Sequence, residues 1–221
     1  MAMNPYRERY FKELGELKTD TEELIRQVNY AMVRSVEALI GYDVEKAKDI
    51  LQMDQAVDDL NQKIENRCME LLALQQPMAK DLRMIVGILK IGIDLERIGD
   101  LAVDIARVTI QSRNKIHITR LEFIPRMAEV ASRMLLQTAE ALKNDDSAMA
   151  RQITKWDYEI DGLYGRVRDK IFKIIVNNPE LVDDATPLLL VNRHLERIGD
   201  HVCNICESIV YMVEAKREHL N

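Results

Sequence analysis

The chain has few of the residues that turn-rich or disulfide-stapled proteins need. Only 8 glycines and 5 prolines occur in 221 residues, too few for the many tight turns of an all-β protein. The three cysteines are an odd number without framework spacing, which favours a reducing, cytoplasmic location. The polar first ten residues predict no secretory signal, and no apolar run approaches the roughly 20 residues of a membrane span.

An excess of positive charge is also missing. Acidic residues outnumber basic ones by 37 to 31, which gives a net charge of −6. A protein that binds nucleic acid needs a basic stripe to neutralise phosphates, so the composition argues against nucleic acid as a partner. Cations and basic protein surfaces remain possible partners.

One phrase of six residues occurs twice. Leu-Glu-Arg-Ile-Gly-Asp fills residues 95–100 and again residues 195–200. The similarity extends further, because a shift of 103 aligns Asp54 and Asp58 with Asp157 and Asp161. An internal repeat of this length predicts two similar halves, which we place at residues 1–113 and 114–221.

Helical periodicity runs through both halves, and no stretch alternates with the period of a strand. Thr19 has the spacing of a capping box with Glu22 and predicts the start of the first long helix, and Asp43 predicts an N-cap for the second. The predicted helices span residues 19–41, 44–75, 79–112, 125–143, 147–176 and 187–216, with a linker at 113–118. The sequence therefore predicts an all-α fold of two tandem three-helix bundles.

The repeated phrase places carboxylates one helical turn apart. Glu96, Asp100 and Asp104 share one face, opposite the apolar residues of the same helix. The second copy repeats the pattern with Glu196 and Asp200, but has Asn204 at the third position. We predict that these side chains form a narrow stripe on an outward face.

The middle helix of each half carries a second stripe. Asp54 and Asp58 are again four residues apart, and Asp157 and Asp161 reproduce them. If the two helices of each half lie side by side, four or more carboxylates converge. Converging carboxylates bind hard or borderline cations through oxygen. The candidate ligands are therefore Asp54, Asp58, Glu96, Asp100, Asp104, Asp157, Asp161, Glu196 and Asp200, with Asn204 at the position where the second copy lacks an acid.

Other interpretations of the same residues remain open. The acids could be an ordinary solvated face, or could pair with Arg97 and Arg197 in an ion network. Gly99 and Gly199 lie inside predicted helices, where glycine costs up to about 1 kcal/mol relative to alanine. They indicate close helix packing or room beside the acids.

The cysteine and histidine residues give weaker signals. Cys203 and Cys206 are spaced as Cys-x-x-Cys, but inside a predicted helix without a preceding strand, so packing is a better interpretation than redox chemistry. His194 and His201 flank the second phrase, and are either outer ligands or ordinary core or surface histidines. No histidine follows a glutamate by three positions, which argues against a ferritin-type oxidase.

The paired phrases resemble those of the PhoU family of phosphate-uptake regulators. The resemblance covers nearly the whole chain and includes Pro77-Met78-Ala79-Lys80-Asp81-Leu82-Arg83 and the segment 204–211. It implies two similar three-helix bundles with surface metal clusters held by (Glu/Asp)-x-x-x-Asp motifs. The implied metal is most often iron; zinc, manganese, magnesium and calcium are alternatives. Asn204 departs from the carboxylate expected at its position, which predicts a poorer or differently filled second site.

The same resemblance implies a regulatory role. Members of the family are negative regulators that link the ATPase subunit of the phosphate ABC transporter to a sensor histidine kinase. We therefore expect a non-enzymatic homo-oligomer, most simply a dimer, that meets the membrane only through its partners. The alternatives are a carboxylate-bridged metalloenzyme, either oxidase or hydrolase, and a metal-free helical scaffold.

Overall fold

The structure is a computed structural model and describes residues 5–112 and 122–220. In these two ranges it contains seven α-helices, one 3-10 turn and no strand. The helices are α1 Pro5–Gly41, α2 Val44–Gln75, α3 Lys80–Gln111, α4 Phe123–Asn144, α5 Ser147–Thr154, α6 Asp157–Asn177 and α7 Val182–Glu214, and the 3-10 turn is Pro179–Leu181.

The all-α fold of two similar three-helix units is confirmed. Helices α1, α2 and α3 form the first unit, and α4, the α5–α6 pair and α7 form the second. The predicted linker at 113–118 and the boundary between 113 and 114 lie outside the described residues. None of the described helices combines the length and the apolar character that a membrane span requires.

The turn between the first two helices is the same in both units. Asp43 accepts a hydrogen bond from the Lys46 amide at 3.0 Å, which confirms the predicted N-cap of α2. Asp146 does the same for α5, from the Met149 amide at 2.8 Å. The preceding residue is left-handed in each turn, with φ of 50° at Tyr42 and 52° at Asp145.

Two helices begin earlier than the sequence predicts. The predicted start at Thr19 is wrong, because α1 begins at Pro5 and the Thr19 hydroxyl donates to the Gly15 carbonyl inside the helix, at 3.1 Å. The predicted start at Pro187 is also too late, since α7 begins at Val182. Proline lacks one amide donor, and near a helix start this removes a single intrahelical hydrogen bond.

The helix predicted at 147–176 is interrupted. It ends at Thr154 and resumes at Asp157, whereas α2 is continuous at the equivalent positions. The Lys155 and Trp156 amides bond to carbonyls three residues earlier, at 3.3 and 3.0 Å, which is the tighter geometry of a 3-10 turn. Neither glycine nor proline marks the break, so periodicity alone could not locate it.

Helices α3 and α7 form the centre of the molecule. They pack against each other, and α1 packs against α4, so the two units share one continuous core. The apolar residues of both repeated phrases lie in it, with Leu95, Ile98, Leu195 and Ile198 all 0% exposed. Each phrase therefore faces the core with its apolar side and the neighbouring helix with its acids.

Candidate functional site

The contact between α2 and α3 assembles a first acidic face, which we define as Asp54, Asp58, Glu96 and Asp100. Asp58 and Asp100 are exposed, and Asp54 and Glu96 are half-buried. Burial raises the pKa of Asp54, and the nearby carboxylates of Asp58 and Asp100 raise it further, against the opposing effect of Arg107. The acids of the two helices therefore lie near each other, as the sequence predicts.

The contact between α6 and α7 assembles the second acidic face, which we define as Asp157, Asp161, Glu196 and Asp200. Burial raises the pKa of Glu196, followed by the effect of Asp200, while Arg193 lowers it and Asp161 raises it. The Glu196 side chain is 14% exposed, so its carboxylate is more enclosed than a surface stripe predicts.

Asp157 departs most from an outward stripe, because it is only 3% exposed. It lies against Gly199 of α7, where an added Cβ would overlap Asp157 Oδ1 and approach Ile160 Cδ1 to 3.0 Å. Gly199 therefore provides room beside an acid, one of the two roles that the sequence left open. The break between α5 and α6 at Lys155 and Trp156 immediately precedes Asp157 and accompanies its burial.

Gly99, at the equivalent position of the first unit, has a different neighbour. The nearest atom to an added Cβ is Val57 Cγ1 at 3.7 Å, an ordinary packing distance. The two glycines are thus not equivalent in the structure, although their sequence contexts are identical.

The third positions of the α3 and α7 stripes are turned toward the contact between the two units. Asp104 pairs with Arg107 at 2.8 Å. Burial lowers the pKa of His194 of α7, and the Asp104 charge opposes that shift. Asn204 donates to Asp94 of α3 at 3.1 Å. Asp94 also lies 2.9 Å from the Nδ1 atom of His201. Sequence reasoning missed Asp94, because no motif distinguishes it from other helical acids.

Part of the ion network that the sequence allowed is present. Arg97 Nη1 lies 3.1 Å from Asp100, and both side chains are more than half exposed. Exposed pairs of this kind contribute about 0–1 kcal/mol. The Arg97 and Arg107 pairs therefore occupy Asp100 and Asp104 without fixing either carboxylate strongly.

The two faces have the donor chemistry of a cation site. Among the described residues, no group of three or more His, Cys, Asp or Glu side chains is already gathered as a metal site. The acids are instead brought near one another, and burial followed by the neighbouring carboxylates raises the pKa values of Asp54 and Glu196. In addition, Glu196 Oε2 is buried and has no hydrogen-bond partner within residues 5–112 and 122–220. The donors are all oxygen, which suits a hard or borderline cation, and a bound cation would relieve the repulsion.

The cysteines have the packing role expected of them. Cys203 and Cys206 are buried in α7, and burial raises the pKa of Cys206 to about 12. The Thr138 hydroxyl lies 3.6 Å from the Cys206 sulfur. Thiols with raised pKa values are protonated at neutral pH and are poor nucleophiles or metal ligands.

Comparison with known proteins identifies the family. A family model described as the PhoU domain matches the chain twice, at residues 21–109 and 124–209. The phosphate-specific transport system accessory protein PhoU homolog of Clostridium acetobutylicum is 33% identical over 210 residues, which cover 95% of this chain and 96% of that protein. The protein of the same name from Aquifex aeolicus is 34% identical over 213 residues, with coverage of 95% and 96%.

Solved structures agree with this fold. The crystal structure of PhoU from Pseudomonas aeruginosa matches with a TM-score of 0.84 and 27% identity, and covers 94% of this chain and 100% of that chain. The phosphate transport system regulatory protein PhoU from Streptococcus pneumoniae matches with a TM-score of 0.87 and 29% identity, over 95% and 99%. The duplicated family match, the near full-length relatives and the shared fold together show that this chain belongs to the PhoU family.

Proposed function

We propose that this chain is a cytoplasmic accessory protein of phosphate transport that represses phosphate uptake and phosphate-starvation signalling when phosphate is plentiful. In this role it contacts the ATPase subunit of a phosphate ABC transporter and a sensor histidine kinase, and couples the two. The observation that carries the proposal is the similarity, over 95% of the chain, to proteins named phosphate-specific transport system accessory protein. We assign no catalytic residue.

The two acidic faces are proposed as cation sites within this role. Residues of the first face would hold a cation between α2 and α3, and those of the second face would hold one between α6 and α7. Asp104 and Asn204, which the sequence also suggests as ligands, lie toward the contact between the two units instead. The cation supplies positive charge that neutralises the carboxylates and joins two helices. Iron is the first candidate, followed by zinc, manganese, magnesium and calcium. The raised pKa values of Asp54 and Glu196 support this role, because each carboxylate is partly buried and also lies near other acids.

A genetic experiment tests the regulatory proposal. Deletion of the chain from its host should derepress a phosphate-starvation reporter in high phosphate, and the parent chain should restore repression. A tagged parent chain should also retain the transporter ATPase subunit and the kinase. Unchanged reporter expression in the deletion strain, with neither partner retained, would refute the regulatory role.

A metal-free helical scaffold is the second candidate, and the exposed pairs Arg97–Asp100 and Arg107–Asp104 favour it. In that case the acids serve as a hydrophilic, internally paired surface. Protein stripped with a chelator would then retain both partners as well as untreated protein does. Loss of retention after stripping, with recovery on adding metal, would exclude this candidate.

A further inference from the structure

The second acidic face has a further oxygen donor one turn before Glu196. We propose that Asn192 supplies the third α7 oxygen of a divalent-cation site there, together with Glu196 and Asp200, and that Asn204 does not. This inference rests on the proposed cation-binding role. It revises the expectation that the second site is poorer because residue 204 is not an acid.

The register between α6 and α7 places Asn192 on the face of α7 that contacts α6. Asn192 Nδ2 donates to the Tyr164 carbonyl of α6 at 3.0 Å. One turn later, Glu196 lies near enough to Asp161 of α6 for that charge to raise its pKa. Gly199, in turn, lies against Asp157. As numbering rises along α7 it falls along α6, so these contacts follow one antiparallel seam. Residues 192, 196 and 200 share its α7 side at four-residue intervals.

The Asn192 side chain has an acceptor that the protein does not satisfy. The residue is 1% exposed, and its Oδ1 atom has no hydrogen-bond partner among the described residues. A carbonyl can only accept, so the Nδ2 atom must face Tyr164 and Oδ1 is the atom left over. Glu196 Oε2, on the next turn, is also buried and accepts no hydrogen bond from the part of the chain that the structure describes. Buried acceptors without donors are costly, and a cation satisfies both.

The first unit solves the equivalent position differently. Gly92 takes the place of Asn192, and the amide of Asn61 from α2 fills the space, with Oδ1 2.7 Å from where a Cβ would be. The Nδ2 atom of Asn61 lies 3.5 Å from Glu96 Oε2, as a donor. At the first face the Asn61 amide therefore offers a hydrogen-bond donor. At the second face the Asn192 Nδ2 donor is used by the Tyr164 carbonyl, and the Asn192 oxygen remains.

Asn204 is directed elsewhere. Its Nδ2 atom donates to Asp94 of α3, at the contact between the two units. Asp94 also faces His201, so the Asn204 side chain is part of a polar cluster between α3 and α7. The acids of the second face lie along the seam with α6, and Asn192 contacts that helix through the Tyr164 carbonyl.

Calorimetric titration with Mn²⁺ tests the proposal in the full chain. All variants carry Asp100→Ala to weaken the first face. Asn192→Leu, which keeps the side-chain size but removes the oxygen, should weaken Mn²⁺ binding about 10-fold or more, as loss of a supporting donor does. Asn204→Leu is the matched control and should change the affinity less than about 2-fold.

Asn192→Asp keeps an oxygen and adds charge, and should bind Mn²⁺ at least as tightly as the Asp100→Ala parent. If Asn192→Leu does not fold, this variant still tests whether residue 192 contributes an oxygen to the site. Equal affinity in Asn192→Leu and the parent, or a larger loss in Asn204→Leu, would overturn the inference while leaving the cation role intact. If the Asp100→Ala parent binds no Mn²⁺ and Asp100→Ala/Asp200→Ala is indistinguishable from it, both the inference and the cation role of this face fail.

Discussion

Gly99 and Gly199 show how one residue can have two roles in a repeated sequence. Both end the same five-residue context and both lie inside a helix, where glycine is unfavourable. Only Gly199 faces a buried acid, because an added Cβ would overlap Asp157 Oδ1. The sequence indicated that these glycines were unusual, but identical contexts could not reveal which one accommodates a carboxylate.

Alanine substitutions at the two glycines should therefore have opposite effects. Gly99→Ala should stabilise the protein by up to about 1 kcal/mol, because alanine favours the helix. The atom nearest to the added Cβ, Val57 Cγ1, lies at an ordinary packing distance. Gly199→Ala should destabilise it by about 1–3 kcal/mol through overpacking against Asp157 and Ile160. Urea unfolding of the metal-free proteins measures both values. Equal effects of the two substitutions would show that Asp157 does not need the space at Gly199.

Glu196 should make metal-free protein less stable as pH rises. Its folded pKa is raised above the ordinary value of 4.5, so its stabilising contribution is fully present below 4.5 and is lost as pH rises through the folded value. Glu196→Gln should remove this fall in the free energy of unfolding. Near neutral pH the variant and the parent should differ by on the order of 1 kcal/mol or less, because the group is partly solvated. Unfolding curves in chelator at several pH values measure it.

Glu96→Gln is the matched control for that titration. Glu96 occupies the equivalent position of the first unit, where Asn61 offers it a hydrogen-bond donor. Glu96→Gln keeps Glu196, so the parent and Glu96→Gln should both lose stability as pH rises. A Glu196→Gln curve that falls as steeply as the parent curve would refute the assignment to Glu196.

At the scale of helices, an ion cluster centred on Arg151 ties the second unit together. Arg151 of α5 donates to Glu214 of α7 at 2.7 and 2.8 Å, and to Glu218 beyond the helix at 2.9 and 3.0 Å. The Leu220 amide donates to Glu207 at 2.8 Å. These contacts hold residues 215–220 against α5 and α7.

Arg151→Ala should release that segment. We expect several-fold faster hydrogen exchange at the Leu220 amide, because a segment held by few contacts opens independently of the core. Hydrogen bonds from Arg151 lower the pKa of Glu214 to about 2, so the parent segment should stay protected as pH falls below 4.5, with protection lost only toward pH 2. Arg126→Ala, which breaks exposed pairs with Glu129 and Glu159, is the control. Unchanged exchange in Arg151→Ala would show that the cluster does not hold the segment.

Helix boundaries divide into those that local sequence determines and those that packing determines. Asp43 and Asp146 are caps that side-chain chemistry alone predicts. The interruption at Lys155 and Trp156 has no such signal, since it accompanies the burial of Asp157 against a glycine 42 positions later in the chain. The early start of α7 was missed because Pro187 suggested a boundary, although one lost hydrogen bond near a helix end is tolerated.

At the scale of the whole molecule, duplication made most of the architecture predictable. Periodicity and the repeated phrase predict the helices, their order and the pairing of acidic stripes. What they could not predict is how α3 packs against α7, which turns Asp104 and Asn204 toward the contact between units. That contact depends on the three-dimensional relation of two distant segments, and no local pattern encodes it.

We propose that the acidic faces of this PhoU family member bind cations, and elemental analysis of the purified protein decides whether they do. Protein purified without chelator or metal-affinity resin should contain near-stoichiometric iron, or another divalent metal from the proposed set. The Asp100→Ala/Asp200→Ala variant, checked for folding by circular dichroism, should lose most of it, because one acid is removed from each face. Equal metal content in the two proteins, or none in either, would contradict the claim and leave the acids as a solvated surface.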